Sequence, residues 1–302
     1  MKIKLRLVLL LISAIFLVGS TAYALPVMWD VGIDGFAGTG YDADTQTGLF
    51  NQMGFASQTS TIQYDTDGDL LLSVGDKFDD EGNIRIETIM GQDWIDSEGL
   101  WLGGKYEITG GWNDIKGHVT DVDNSASTTD VTTRYTEGTI DIYFDENLDS
   151  AFANVAGTSG IPTVGAGGTG FYDGTLIATL DVMDGIGHSH FSLIPGGGSE
   201  IHSQGSVDLL LQFTYMLPGF WLDDLAQDLL VNPVTWHWAL SDMNIDSPLI
   251  GEGSSEDELW LAHSNQDGSI FIGRVVPEPG TILLLGMGLL GMGIVGVRRK
   301  KS

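Results

Sequence analysis

Four aspartates within DTDGDLLLSVGD are the first residues whose types and spacing suggest chemistry. Asp65, Asp67 and Asp69 alternate, and Asp76 stands twelfth counting from Asp65. Calcium takes six to eight hard oxygen ligands, and an Asp-x-Asp-x-Asp loop curls three carboxylates around one ion. The run departs from the helix-flanked loop of that kind at its sixth position, Leu70, where glycine is required. Its glycine, Gly68, comes at the fourth position, and Asp76 replaces the usual bidentate glutamate. Two readings stay open: a calcium site, or an acidic turn between two strands. Asp121, Asp123 and Asp130 form a second acidic stretch that reads as a solvated loop.

Other pairs are weaker. His188 and His190 lie two apart and would share a strand face, but no third metal ligand is suggested nearby, so they read as surface or half-buried histidines. Trp236 and Trp238 would also share a face, as a platform for stacking a sugar if exposed or as ordinary core if buried. Catalytic motifs are missing: there is no GxSxG elbow and no HExxH, and Gly104-Lys105 is followed by Tyr106 where a phosphate loop needs Ser or Thr. A pair of glycosidase carboxylates has too many candidates for spacing to select one. The chain is therefore expected not to be an enzyme.

The elements that would position these residues read as strands. In TIDIYF, Ile140, Ile142 and Phe144 alternate with Asp141 and Tyr143. In SVDLLLQFTYML, Val207, Leu209, Leu211, Phe213, Tyr215 and Leu217 fall on one side, and Leu100, Leu102, Tyr106 and Ile108 do so in GLWLGGKYEIT. TIQYD, NIRIETIM, TLIATLDVM and TWHWAL are further strands. ELWLAH and SIFIGRV read as a hairpin turning at Asp267-Gly268. One short helix is expected over 218–230, with Asp223 and Asp224 in its first turn, Leu222, Leu225, Leu229 and Leu230 as its apolar stripe and Pro233 beyond its end. Many strands and one helix predict an all-β fold, an antiparallel β-sandwich or jelly-roll over 25–275, with a Gly/Thr/Ser-rich stretch near 154–174 as a possible division into halves.

Composition narrows the partners. Three of the 13 cations are Lys2, Lys4 and Arg6, and four are residues 298–301. Six therefore remain for 25–276, against 40 of the 41 acidic residues, a net charge of about −34. Nucleic acid and anionic lipid are excluded as partners, because binding them rests on cations. Calcium is the candidate cofactor. There are no cysteines, so disulfides, thiolate metal sites and thiol catalysis are absent. At 42% hydrophobic residues the chain can bury a core despite its charge.

The two ends speak of export. Lys2, Lys4 and Arg6 precede an apolar run from Leu7 to Val18, and Ala22-Tyr23-Ala24 is a small-x-small site. This pattern reads as a signal peptide, 1–24, cut by signal peptidase after Ala24. At the other end, residues 276–302 hold VPEPGT (Pro277, Glu278, Pro279, Gly280), an uncharged apolar run over 282–297, and Arg298, Arg299, Lys300 and Lys301. As a helix the run would cover about 24 Å, enough for a thin bilayer. The basic end would stay cytoplasmic. This three-part tail resembles the PEP-CTERM sorting signal. The resemblance implies recognition and removal by an exosortase, transient anchoring in the inner membrane, a Gram-negative host that makes exopolysaccharide, and delivery to the cell envelope, surface or extracellular matrix. The stretches GDLLLSVGDKFDDEGNIRIE and LWLGGKYEITGGW are similar to flocculation-associated PEP-CTERM proteins. That likeness implies a non-enzymatic structural or adhesive protein acting with exopolysaccharide in biofilm or floc formation. The alternatives are a secreted carbohydrate-binding module and a polysaccharide hydrolase.

Overall fold

The computed structural model describes residues 26–30, 47–69, 71–91, 95–96, 106–125, 128–152, 168–193, 201–229, 235–243, 249–252 and 258–272, with backbone alone at 95–96, 201–204, 235–243, 249–252 and 258–266. Fifteen strands are found among them. They are β1 (Met28–Trp29), β2 (Gln52–Tyr64), β3 (Lys77–Met90), β4 (Ile95–Asp96), β5 (Glu107–Asn124), β6 (Thr128–Glu137), β7 (Thr139–Asp145) and β8 (Ala151–Phe152). The rest are β9 (Gly168–Thr169), β10 (Thr175–Leu193), β11 (Ile201–Met216), β12 (Trp221–Leu222), β13 (Thr235–Met243), β14 (Leu249–Glu252) and β15 (Glu258–Phe271).

The pairing of these strands makes a ring. β2 pairs β3, and β3 pairs β5. β5 pairs β6 along one half and β7 along the other, and both of those pair β10. β10 then pairs β11, β11 pairs β13, β13 pairs β15, and β15 returns to β2, every pair antiparallel. β6 and β7 are one strand path interrupted only at Gly138, so the ring is an up-and-down closed barrel of eight staves. This corrects the sandwich or jelly-roll expected from the sequence. Both architectures alternate apolar and polar residues along their strands. The β15–β2 register, pairing the last stave with the first, is what closes the sheet on itself. Both sides of the 154–174 stretch supply staves to this ring, and Ala24–Gly273 forms one compact unit.

The barrel is apolar inside. Met53, Phe55, Ile84, Ile86, Ile108, Ile142, Leu180, Val207, Leu209 and Leu211 are buried in one core. Trp29, Phe50, Phe220 and Trp221 join it where β1 pairs β12. A cavity of about 20 Å³ remains between Trp29, Ile86, Leu180 and Trp221, room for one water by volume but lined by apolar side chains. On the outer face of β7 and β10, Thr179 donates to Asp141 at 2.7 Å and Thr139 to Asp181 at 3.3 Å, while Met183 and Ile186 of β10 are exposed.

Three further expectations are corrected. No α-helix occurs among the described residues. Over 218–229 the chain makes a turn, β12 and a second turn, where Asp223 accepts from the Leu225 and Gln227 N–H groups. Phe220, Trp221 and Leu222 are all buried in succession, while Leu225 of the supposed stripe is 70% exposed. A helix cannot bury three consecutive residues on one face. Asp267-Gly268 is no turn: β15 runs straight through it, with Asp267 opposite Ala56 and Gly268 opposite Phe55. In β11 the alternation slips at Thr214, where Thr179 pairs Tyr215 and Leu180 pairs Phe213. This bulge turns Tyr215 outward and brings Met216 into the core. Leu100 and Leu102 lie outside the described residues, while Tyr106 and Ile108 share the inner face as expected.

Candidate functional site

The loop from β2 to β3 carries the aspartates selected by spacing, and the structure brings three of the four together. Carboxylate oxygens of Asp65, Asp67 and Asp76 lie within 4.8 Å of one another. Asp69 is not in this group, and its carboxylate instead accepts from the Leu71 N–H at 2.8 Å. Asp76 is only 1% exposed. Its Oδ1 accepts from the Thr66 N–H at 2.9 Å and its Oδ2 from the Ser73 N–H at 2.7 Å, so it ties the two arms of the loop to each other. Asp65 accepts from the Gly68 N–H at 2.6 Å, and Ser73 Oγ donates to Asp67 at 3.2 Å. Gly68 and Gly75 have φ of 80° and 104°, the left-handed region that glycine enters without strain. These bonds form an acidic turn closed from within. The same three carboxylates are the ones that would hold a hard cation there.

The histidines stand on the outer wall at β10, opposite β6. His188 Nδ1 lies 3.2 Å from Thr132 Oγ1, and His190 Nδ1 lies 2.6 Å from Asp130 Oδ1. Asp121, Asp123 and Asp130 are not in a loop: the first two are on β5 and the third on β6, with Asp123 directly opposite Asp130. Trp236 and Trp238 lie on β13, opposite Leu211 and Leu209, with their side chains outside the described residues. Ala22, Ala24, Pro277, Glu278, Pro279, Gly280, Arg298 and Arg299 also lie outside them. No helix among the described residues is long and apolar enough to cross a membrane.

Two charged clusters went unselected by sequence reasoning. Inside the barrel, Asp80 accepts from Trp112 Nε1–H at 2.5 Å and from Thr61 Oγ1–H at 2.6 Å. Burial pushes its carboxyl up to about 6, against the lowering effect of those two bonds. Tyr135 is raised as well, by burial and then by the Asp80 charge. Trp112 reaches Asp80 across Gly82, where any Cβ would strike the indole ring. On the outer wall, Glu107, Asp145 and Asp149 converge within 4.8 Å. No spacing signal marks this second cluster, because β5–β7 pairing brings its members together across 38 residues of chain.

No curated protein matches the chain significantly. One solved structure, that of Ail, the attachment invasion locus protein of Yersinia pestis, aligns at 12% identity over 74% of this chain and 98% of its own, with a TM-score of 0.17. Residues 275–300 match the PEP-CTERM protein-sorting motif, and the chain is accordingly a PEP-CTERM domain-containing protein, exported and sorted by an exosortase.

Proposed function

We propose that the exported domain is a non-catalytic structural or adhesive protein of the cell surface or extracellular matrix, acting alongside exopolysaccharide. The observation that carries this reading is the barrel's make-up. Among the described residues its core is packed apolar side chains, with buried polar residues such as Ser57, Thr59, Gln63 and Asp80 beside it, while about 40 acidic groups against six cations are left to a chain that folds around that core. Among the described residues, what the barrel offers its surroundings is its wall and loops. The strongly raised carboxyl of Asp80 inside the barrel is closed in by Thr61 and Trp112. A carboxylate-rich wall interacts with anionic polysaccharide through shared divalent cations, which neutralise both surfaces at once. Sorting by an exosortase delivers the domain to the envelope side where such material lies.

The test is the settling of a deletion strain beside wild type and a complemented strain, with exopolysaccharide measured in parallel. Dispersed growth at unchanged polysaccharide output is the expected result, and unchanged settling overturns the adhesive role. Turnover of any member of a polysaccharide panel by the purified protein would replace this reading with a hydrolase. Soluble glycan binding abolished by Trp236→Ala would replace it with a carbohydrate-binding module.

A further inference from the structure

We propose that Glu107, Asp145 and Asp149 form a divalent-cation site, with calcium as the ion, on the outer wall of the barrel where β5 meets β7. The site is separate from the Asp65–Asp76 loop, and it stands whether or not the matrix role holds.

Glu107 opens β5 and Asp145 ends β7, directly opposite each other. Like charges placed opposite on neighbouring strands repel. Both side chains face outward, since Tyr106, Ile108 and Phe144 beside them belong to the core. Both are nevertheless covered: Glu107 is 0% and Asp145 4% exposed. Asp149, on the turn after β7, is exposed and supplies the third carboxylate within 4.8 Å.

The donors around the cluster do not match its oxygens. Glu107 Oε1 accepts from the Ser150 N–H at 2.9 Å and Oε2 from the Ser150 hydroxyl at 2.6 Å. Asp145 Oδ1 accepts from the N–H of Asn147 at 2.8 Å and from its side-chain amide at 3.2 Å. Asp145 Oδ2 is buried and receives no N–H or O–H donor, and the Asp173 carboxyl, within hydrogen-bonding reach of the Asp145 side chain, can bond it only by carrying a proton. Arg85, on the neighbouring β3, donates to the Ser150 carbonyl and to Glu87. A buried carboxylate oxygen without a donor, on a side chain grouped with the carboxylates of Glu107, Asp149 and Asp173, calls for a positive charge there.

A proton or a metal ion can supply that charge. Burial raises the Asp145 carboxyl above its ordinary value, against the lowering effect of the Asn147 N–H bond, and the charge and hydrogen bond of Asp173 and the charge of Asp149 add to the rise, while Glu107 is raised chiefly by burial. A cation relieves Glu107, Asp145 and Asp149 together, whereas one proton shared between Asp145 and Asp173 leaves Glu107 and Asp149 charged. The ligand set is oxygen only, which suits a hard ion and not zinc, whose sites draw on imidazole and thiolate. Calcium tolerates the irregular geometry of carboxylates drawn from two strands and a turn, whereas magnesium demands a near-ideal octahedron.

The full chain, purified and stripped with chelator, is tested in an Asp67→Asn background that weakens the Asp65–Asp76 loop. Adding calcium to about 10 mM is expected to raise the melting temperature by about 5 °C. Adding Asp145→Asn is expected to abolish that rise while leaving the calcium-free melting temperature at or above its parent, because one buried charge has gone. A rise that survives Asp145→Asn places the ion elsewhere and overturns the proposal. No rise in the parent means that the carboxyls are neutralised by protons, and overturns it too. If Asp145→Asn fails to fold, the exposed Asp149→Asn is expected to weaken calcium binding about tenfold by calorimetry, and unchanged affinity overturns the site.

Discussion

Asp80 sits inside the barrel with one carboxylate oxygen against Trp112 and the other against Thr61. Its folded carboxyl titrates near 6, while an unfolded one titrates near 3.8. Between those values the folded chain holds a proton that the unfolded chain has released. Stability contributed by this group therefore rises as the pH falls from 7 toward 4, by on the order of 3 kcal/mol. Glu107 and Asp145, also raised, act in the same direction. Asp80→Asn keeps an acceptor for Trp112 and places an amide donor against Thr61, so the fold should survive while the proton is removed from the balance. Urea midpoints at pH 7 and pH 4.5 are expected to differ less in Asp80→Asn than in wild type. An identical pH slope in the two proteins would show that Asp80 is not the titrating group.

At the scale of elements, the 218–229 segment separates what the sequence discloses from what it hides. Helix and turn compete there on similar local terms, because Asp223 serves equally as a helix first-turn residue and as a turn acceptor. Tertiary packing decides. Trp221 is 1% exposed, donates its indole N–H to the Ile177 carbonyl at 2.9 Å and meets Trp29 edge-on at 5.8 Å. Trp221→Ala should cost about 3–5 kcal/mol, from the cavity and the abandoned carbonyl together. Leu225→Ala, at the exposed tip, should stay within about 0.5 kcal/mol. Comparable losses in the two variants would restore the helix. Elsewhere the strands were legible wherever one face is buried without interruption, as at Ile140, Ile142 and Phe144. Bulges were not, because the slip at Thr214 changes which residues face inward without changing composition. Closure was not legible either, since it depends on registers such as Asp267 opposite Ala56 between the last stave and the first. The Asp65–Asp76 loop could be read because its members are local. Glu107 and Asp145 could not, because among 40 acidic residues only the β5–β7 register makes them neighbours.

For the whole molecule, charge is the dominant fact after the core. A domain with about 34 excess negative charges repels itself, and the compact state feels that repulsion more than the expanded chain does. Among the described residues, ion pairs offset little of it. Arg85 joins Glu87, Arg134 joins Asp184 at an exposed site, and His190 meets Asp130. Screening should therefore stabilise the fold: the Debye length shrinks from about 10 Å at 0.1 M salt to about 3 Å at 1 M. In chelator, which strips loosely held divalent ions, raising potassium chloride across that range is expected to raise the melting temperature by a few degrees. Most of the gain should come early, before the screening length drops below the spacing of neighbouring carboxylates. A flat or falling curve would mean that the surface is already neutralised by protons or tightly held cations. Repeating the series at pH 5 separates those two cases. Protonated carboxyls leave less repulsion to screen and flatten the curve further, whereas retained metal is released as its ligands take up protons, and salt dependence returns.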